Sequence, residues 1–386
     1  MGLDHRLQLT RREAVRLLGV GVGAGIAADW AHPSALIGGS LSQIQVGRRV
    51  LTFPRGAIMR TVLNDIDPNT IDGATLMHEH LGSGRPGRRG GPPTAPSQDE
   101  AWMAEELIAA REKAGLRCIV AAQTSLPPPD ILEYNKRIMA KTGVAVIAAG
   151  GYYGLQSYPP YIKTESEDQI ADRLVQAAAE GRFGAFGEIG DANNEADLAD
   201  DEKKVFRAVG KASARTGLPI FTHNNYSTGP NVQTDSALHQ LDQLMTGGAK
   251  PASIAIGHVC CLDDPKADVI KQIAKRGAFV AFDRVTRQQQ WVTDEHRLHM
   301  IQAFLDAGDV DHLMLSSDNI GALNPTTGEQ SFYPGPLHAR EGGPGYARPL
   351  LLFLPLMRKA GISEETIRKI TVDNPRRWLS FVPRAA

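Results

Sequence analysis

Cysteine is scarce in this chain of 386 residues: only Cys118, Cys260 and Cys261 are present, and the last two are adjacent. Three thiols in that arrangement cannot form a disulfide framework, so they are read as free. A charge surplus is also missing, because 42 Lys and Arg stand against 43 Asp and Glu, a formal net charge of −1. Nucleic acids and anionic membranes both select basic surfaces, so neither is expected as a partner and small-molecule chemistry is the better expectation. No stable membrane span is expected either. The mild, Gly-rich apolar run from Leu17 to Ala28 has 12 residues, where a spanning helix needs about 20. No Gly-x-Gly-x-x-Gly follows the first strand, which argues against an open dinucleotide-binding sheet.

The segment Thr10-Arg11-Arg12-Glu13 precedes that apolar run, and together they resemble a twin-arginine export signal. Such a signal moves proteins that are already folded, which suits an enzyme that loads metal before export. Residues 1–40 are therefore read as export signal and linker, and 41–386 as the functional domain. The expected location is periplasmic or extracellular, with the cytoplasm as the alternative if Arg11-Arg12 is fortuitous. A homodimer is left open.

From residue 72 onward, short apolar runs of β type alternate with longer runs of helical period. The runs predict strands at 73–80, 117–124, 144–151, 184–189, 219–224, 253–259, 278–283 and 312–317. Helices are predicted at 99–115, 130–142, 166–180, 199–216, 237–246, 265–276, 293–307 and 346–360, with Gly143, Gly181, Gly217, Gly277 and Gly361 at helix C-termini. Eight such units close as a (β/α)8 TIM barrel. Long Gly- and Pro-rich loops follow the first and last strands, the first carrying Arg85, Arg88 and Arg89. A Tyr-rich loop, Tyr152 to Tyr161, follows the third and reads as a lid or as its packing. Ile370 to Ser380 reads as a last helix across the barrel bottom.

The polar residues at the strand ends carry the chemistry. His78-x-His80 closes the first strand, so period-2 alternation places both imidazoles on one face. Glu188 ends strand four, His223 strand five, His258 strand six and Asp318 strand eight. Catalytic groups in this fold come from the carboxyl ends of different strands, so the six should converge as a metal site in the barrel mouth. The remaining histidines, such as His239, His296 and His338, scatter among other positions and are read as structural.

This ordered set, with Leu76-Met77-His78-Glu79-His80 near the start and Thr371-Val372-Asp373-Asn374-Pro375 near the end, resembles the phosphotriesterase family of the amidohydrolase superfamily. The resemblance implies two divalent ions, zinc first, with manganese, cobalt or iron as alternatives. His78, His80 and Asp318 would hold the more buried ion, His223 and His258 the more exposed one, and Glu188 would bridge them where many relatives use a carboxylated lysine. Cys261 and Arg284 stand where organophosphate-hydrolysing members place an Asp and a His. Phe282-Asp283-Arg284 and Gly150-Gly151-Tyr152-Tyr153 are closer to the lactonase branch.

The expected function is hydrolysis of a neutral ester-like substrate by a metal-bridging hydroxide, with a lactone first and a carboxyl ester or phosphotriester next. Asp318 would take the nucleophile's proton, while Tyr153 and Arg284 would orient the substrate or stabilise the leaving oxygen. Arg284 has an alternative partner in its neighbour Asp283. Two other functions stay open: a metal-containing barrel that binds a small molecule with little catalysis, and a mononuclear amidohydrolase.

Overall fold

The computed structural model describes residues 49–82, 99–191, 197–224, 234–287, 292–319 and 336–384. Arg11, Arg12, Arg85, Arg88 and Arg89 lie outside the described residues. Eight parallel strands stand in sequence order: β1 (Ala74–Glu79), β2 (Leu116–Ala121), β3 (Ala145–Gly150), β4 (Ala185–Gly190), β5 (Ile220–His223), β6 (Ile254–Ile256), β7 (Phe279–Phe282) and β8 (Leu313–Leu315). At the carboxyl ends of β1 and β8, Asp318 N donates to His78 O at 3.2 Å and His80 N to Asn319 O at 2.9 Å. These bonds bring the first and last strands together, so the sheet is a nearly closed (β/α)8 barrel.

The helices between the strands are α1 (Glu100–Ala114), α2 (Pro129–Thr142), α3 (Glu167–Glu180), α4 (Asp200–Thr216), α5 (Ser236–Thr246), α6 (Asp268–Lys275) and α7 (Asp294–Asp306). Their starts follow local chemistry: Asp99 accepts from Trp102 N, and Ser166 and Gln169 form a reciprocal capping box on α3. At the end of α3, Gly181 keeps φ −87° and the left-handed position passes to Arg182.

The predicted eighth helix is broken. A short turn at Gly345–Ala347 and a π turn at Pro349–Phe353 lead into α8 (Leu354–Lys359); α9 (Glu364–Arg368) and a second π turn at Lys369–Asp373 lead into α10 (Asn374–Leu379). Each π turn lies just ahead of a proline, Pro355 or Pro375. Proline has no N–H to offer the carbonyl four residues back, and the widened turn accommodates that lost bond. Among the described residues no helix is long and apolar enough to cross a membrane.

The strands are buried on both faces, as expected where helices cover the outside of a parallel sheet. Leu76, Ile119, Val146 and Phe186 join the outer core with Leu107, Ile138 and Leu174 of the helices. Met77, Val120, Ala149, Phe221, Ala281 and Met314 fill the barrel with Trp378. Two breaks in this alternation matter for the site. The register of β1 on β2 shifts between Leu76 and Glu79, and that of β4 on β5 shifts between Phe186 and Ile189. Unbroken alternation would send His78 outward with Leu76 and Glu188 outward with Phe186; the shifts turn both into the barrel.

Trp378 of α10 plugs the bottom, fully buried, its ring edge-on to Phe221 at 6.0 Å and its Nε1 donating to Ile220 O at 3.3 Å. Trp378→Ala should therefore cost about 3–5 kcal/mol of stability. The measurement is urea unfolding, with bound metal expected to be unchanged, because the candidate ligands lie at the other end of the barrel.

Candidate metal centre

The structure brings all six sequence-predicted ligands to the carboxyl ends of the strands, in one buried cluster. Glu188 Oε2 lies 3.2 Å from His78 Nε2 and 4.0 Å from His258 Nε2, and Glu188 Oε1 lies 3.6 Å from His80 Nε2. Asp318 Oδ1 is 3.1 Å from His80 Nε2 and 3.7 Å from His78 Nε2, while Oδ2 is 3.8 Å from His258 Nε2. His223 stands edge-on to His258 with ring centres 4.3 Å apart. Three triads among the described residues could hold a cation: His78, His80 and Glu188; Glu188, His223 and His258; and His78, His258 and Asp283, whose carboxylate is engaged with the Nδ1 of both rings.

The donor atoms fit such a group. His78 Nε2, His258 Nε2, His223 Nδ1 and Glu188 Oε2 are buried without a hydrogen-bond partner. Unpaired buried polar atoms are costly, and four of them facing a common region mark a place built for a cation. The electrostatics agree. Burial works against a charge on His78, yet Asp283 and Glu188 draw a proton to it strongly enough to raise its pKa well above the ordinary value. Burial pushes the Glu188 carboxyl up, but contact with His78 and the charges of His78, His223 and His80 outweigh it, leaving a pKa of about 2. His223 behaves differently: burial and the neighbouring His258 hold it well below the ordinary value, which keeps the ring neutral and able to act as a ligand.

Asp283, at the end of β7, is a functional residue that the sequence argument did not assign to the site. Its Oδ2 accepts from His78 Nδ1 at 2.8 Å, and its Oδ1 accepts from His258 Nδ1 at 3.0 Å and His258 N at 2.7 Å. One buried carboxylate thus fixes the tautomer of two histidines and turns the Nε2 of each toward Glu188. It also holds His258 at φ 56°, a backbone region few side chains adopt. A Cβ on Gly257 would stand 1.8 Å from Thr222 O, so the residue before His258 has to be glycine for the chain to pass β5. The same strand-end rule that found Asp318 would have found Asp283.

Arg284 does not pair with Asp283. Its Nε donates to Asp318 Oδ2 at 2.9 Å, and its Nη2 lies 3.2 Å from His223 Nε2. Arg287, which sequence reasoning missed, also donates to Asp318 Oδ2. Burial pushes the Asp318 carboxyl up, but Arg287, the bond to His80 and Arg284 together hold it well below the usual carboxylate range.

Tyr153 Oη lies 3.0 Å from His223 Nε2, and burial, with the charge of Glu188, pushes its phenol to about 12, so it stays protonated. Tyr152, Tyr158 and Tyr161 pack on one another instead, with a 3.0 Å contact between the hydroxyls of Tyr152 and Tyr161. Cys260 and Cys261 are buried free thiols, 4.0 Å apart, and Cys260 Sγ accepts from Arg284 N at 3.3 Å.

Comparison with known proteins gives the centre a context. A model described as the phosphotriesterase family matches residues 57–379. The chain is 31% identical over 244 residues to the phosphotriesterase homology protein of Escherichia coli, an alignment covering 62% of this chain and 75% of that one. It is 27% identical over 314 residues to an aryldialkylphosphatase of Saccharolobus solfataricus, covering 80% of this chain and 95% of the other. An N-acetyltaurine hydrolase of Xenopus tropicalis is 25% identical over 365 residues, covering 84% and 98%. Among solved structures, the Escherichia coli phosphotriesterase homology protein, complexed with phosphate in its active site, superposes with a TM-score of 0.66 at 26% identity, covering 81% of this chain and all of the other. A resiniferatoxin-binding protein from Rhodobacter sphaeroides also gives 0.66 at 25% identity, covering 83% and 94%. Matched from residue 57 to residue 379, along the barrel those residues build, this chain belongs to the phosphotriesterase family.

Proposed function

We propose that this chain is a binuclear metal-dependent hydrolase of a neutral ester-like substrate, a lactone first and a carboxyl ester or phosphotriester next. Glu188 carries the conclusion, because its carboxylate is common to the triad with His78 and His80 and the triad with His223 and His258, and keeps a buried oxygen without a partner. His78, His80 and Asp318 would hold one ion and His223 and His258 the other, with Glu188 between them and zinc the first candidate. When bound, two divalent ions lower the pKa of a coordinated water toward neutrality and polarise a carbonyl or phosphoryl oxygen.

The chain's own residues then have definite roles. If His223 offers Nδ1 as a ligand atom, its proton sits on Nε2, which donates to Tyr153 Oη. The phenolic hydrogen of Tyr153 is then free to donate into the mouth. Arg284 Nη2 can only donate, so it gives up His223 Nε2 and is available to a substrate oxygen. Asp318 is placed to accept the proton of the attacking water.

A second function, small-molecule binding with little catalysis, is favoured by one observation. Two guanidiniums on Asp318 Oδ2 leave that carboxylate a weak proton acceptor. A panel of lactones, aryl esters, phosphotriesters and N-acetyltaurine separates the two: turnover of any of the first three supports the proposed hydrolase, turnover of N-acetyltaurine alone would replace its substrate class by an anionic amide, and bound metal without turnover supports the binding protein.

Glu188→Ala should reduce bound metal from about two ions per chain to one or fewer, with hydrolysis lost alongside, because two adjacent dications need a shared anion. Elemental analysis that still finds two tightly held ions in the variant would rule out bridging. Arg284→Ala should lower lactone turnover and leave the metal content intact; loss of metal would mark Arg284 as part of the ligand framework. For export, replacing Arg11 and Arg12 by lysine should trap folded, metal-loaded protein in the cytoplasm. An unchanged extracytoplasmic yield would contradict the twin-arginine assignment.

A further inference from the structure

The middle residue of His78-Glu79-His80 has no part in the mechanism above, yet it makes more hydrogen bonds than either histidine beside it. Glu79 is fully buried in the seam between β1 and β8. Its Oε1 accepts from Ser316 Oγ and Ser317 N, each at 2.7 Å, and its Oε2 accepts from Asn319 N at 2.6 Å. Ser317 Oγ lies 2.9 and 3.0 Å from the two oxygens. Ser316 Oγ also accepts from His78 N at 3.0 Å, which joins the histidine's backbone to the same carboxylate.

The residues so held bracket Asp318. The chain at Asp318 has φ 49°, a left-handed conformation that a residue with a side chain keeps only when its surroundings impose it. The amides on either side of it, Ser317 N and Asn319 N, both end on Glu79, and its own amide ends on His78 O. Without that anchor the backbone is free to relax to an ordinary φ, which would carry the Asp318 carboxylate away from its 3.1 Å contact with His80 Nε2. The shifted register of β1 between Leu76 and Glu79 is the local feature that lets the two histidines face the lumen while the glutamate between them faces β8.

We infer that Glu79 is the positioning residue of the centre, a carboxylate clasp that sets the backbone of Asp318 and ties it to the two histidines of β1. This role rests on the metal-dependent reading of the site. Glu79→Gln is the informative change, because the amide is similar in size but its nitrogen cannot accept, so one backbone N–H beside Asp318 loses its partner. The probe is cobalt(II), whose visible spectrum reports the geometry of its ligands, with hydrolysis of 4-nitrophenyl acetate as the rate readout.

The variant should still take up cobalt but with an altered spectrum, and kcat should fall roughly 10- to 100-fold, as for other residues that orient ligands from behind, with KM nearly constant. In metal-free protein, the amide protons of Ser317, Asp318 and Asn319 should exchange faster than in the wild type. Should Glu79→Gln not fold, Ser316→Ala, which cuts only the relay from His78 N, should shift the same spectrum and rate by a smaller amount. A cobalt spectrum and kcat equal to the wild type's, even with a lower melting temperature, would reduce Glu79 to a seam-closing role and overturn the inference. A wild type that takes up no cobalt overturns the metal reading itself, which separates that failure from this one.

Discussion

Three carboxylates, Glu188, Asp283 and Asp318, are buried against the candidate ligand histidines, and the rest of the site is arranged around the positive charge they require. Anions taken out of water are tolerated only when paired and hydrogen-bonded. Asp318 meets this condition with Arg284 and Arg287. Glu188 and Asp283 have no arginine or lysine against them in the ion pairs of the described residues; their partners are the rings of His78, His80 and His258. A histidine can supply the missing charge only by holding a proton, and His78 is pushed in that direction. Divalent ions would satisfy the same need with neutral rings, and the partnerless Nε2 atoms of His78 and His258 fit that arrangement.

The barrel and the place of the candidate ligands were legible in the sequence, because the eight βα units and the polar residues at their ends both follow from where apolar runs stop. Each of His78, Glu188, His223, His258 and Asp318 lies at or just beyond the end of such a run, and the fold makes those ends converge. One feature was less accessible. The alternation that places His78 and His80 together also predicts, if continued from Leu76, that they face the helices; the register shift at Leu76 to Glu79 reverses this. No residue in that stretch marks the shift, since it arises from how β1 meets β2. The broken helices before Pro355 and Pro375, by contrast, were legible in principle, because each proline removes a known donor.

The partners of side chains were the least predictable part. Asp283 and Arg284 are neighbours in sequence and invite an ion pair, yet successive residues leaving a strand diverge. Asp283 turns to the histidines behind the centre, and Arg284 turns across the mouth to Asp318. Glu79 shows the same principle from β1, with its carboxylate on the strand behind the centre and the flanking histidines in front. In both places one chain position faces the mouth and its neighbour supplies the support from behind, so the alternation that aims a side chain at the site also places what holds the site.

This division of labour has a consequence for catalysis. Asp318 is asked to be an anchor for Arg284 and Arg287, a neighbour of the histidine pair and, in the proposed mechanism, a proton acceptor. Two guanidiniums stabilise its ionised form and so weaken it as a base. The conflict is relieved if the arginines turn to the substrate as it binds, since a carboxylate released from two cations regains its affinity for a proton. In that mechanism His223 couples to the same event: with the proton on Nε2, it would repel the donor Nη2 of Arg284 and donate to Tyr153 Oη. On the proposed reading, the tautomer of His223 would set which way both Tyr153 and Arg284 face, and would link occupancy of the centre to the donors offered to a substrate.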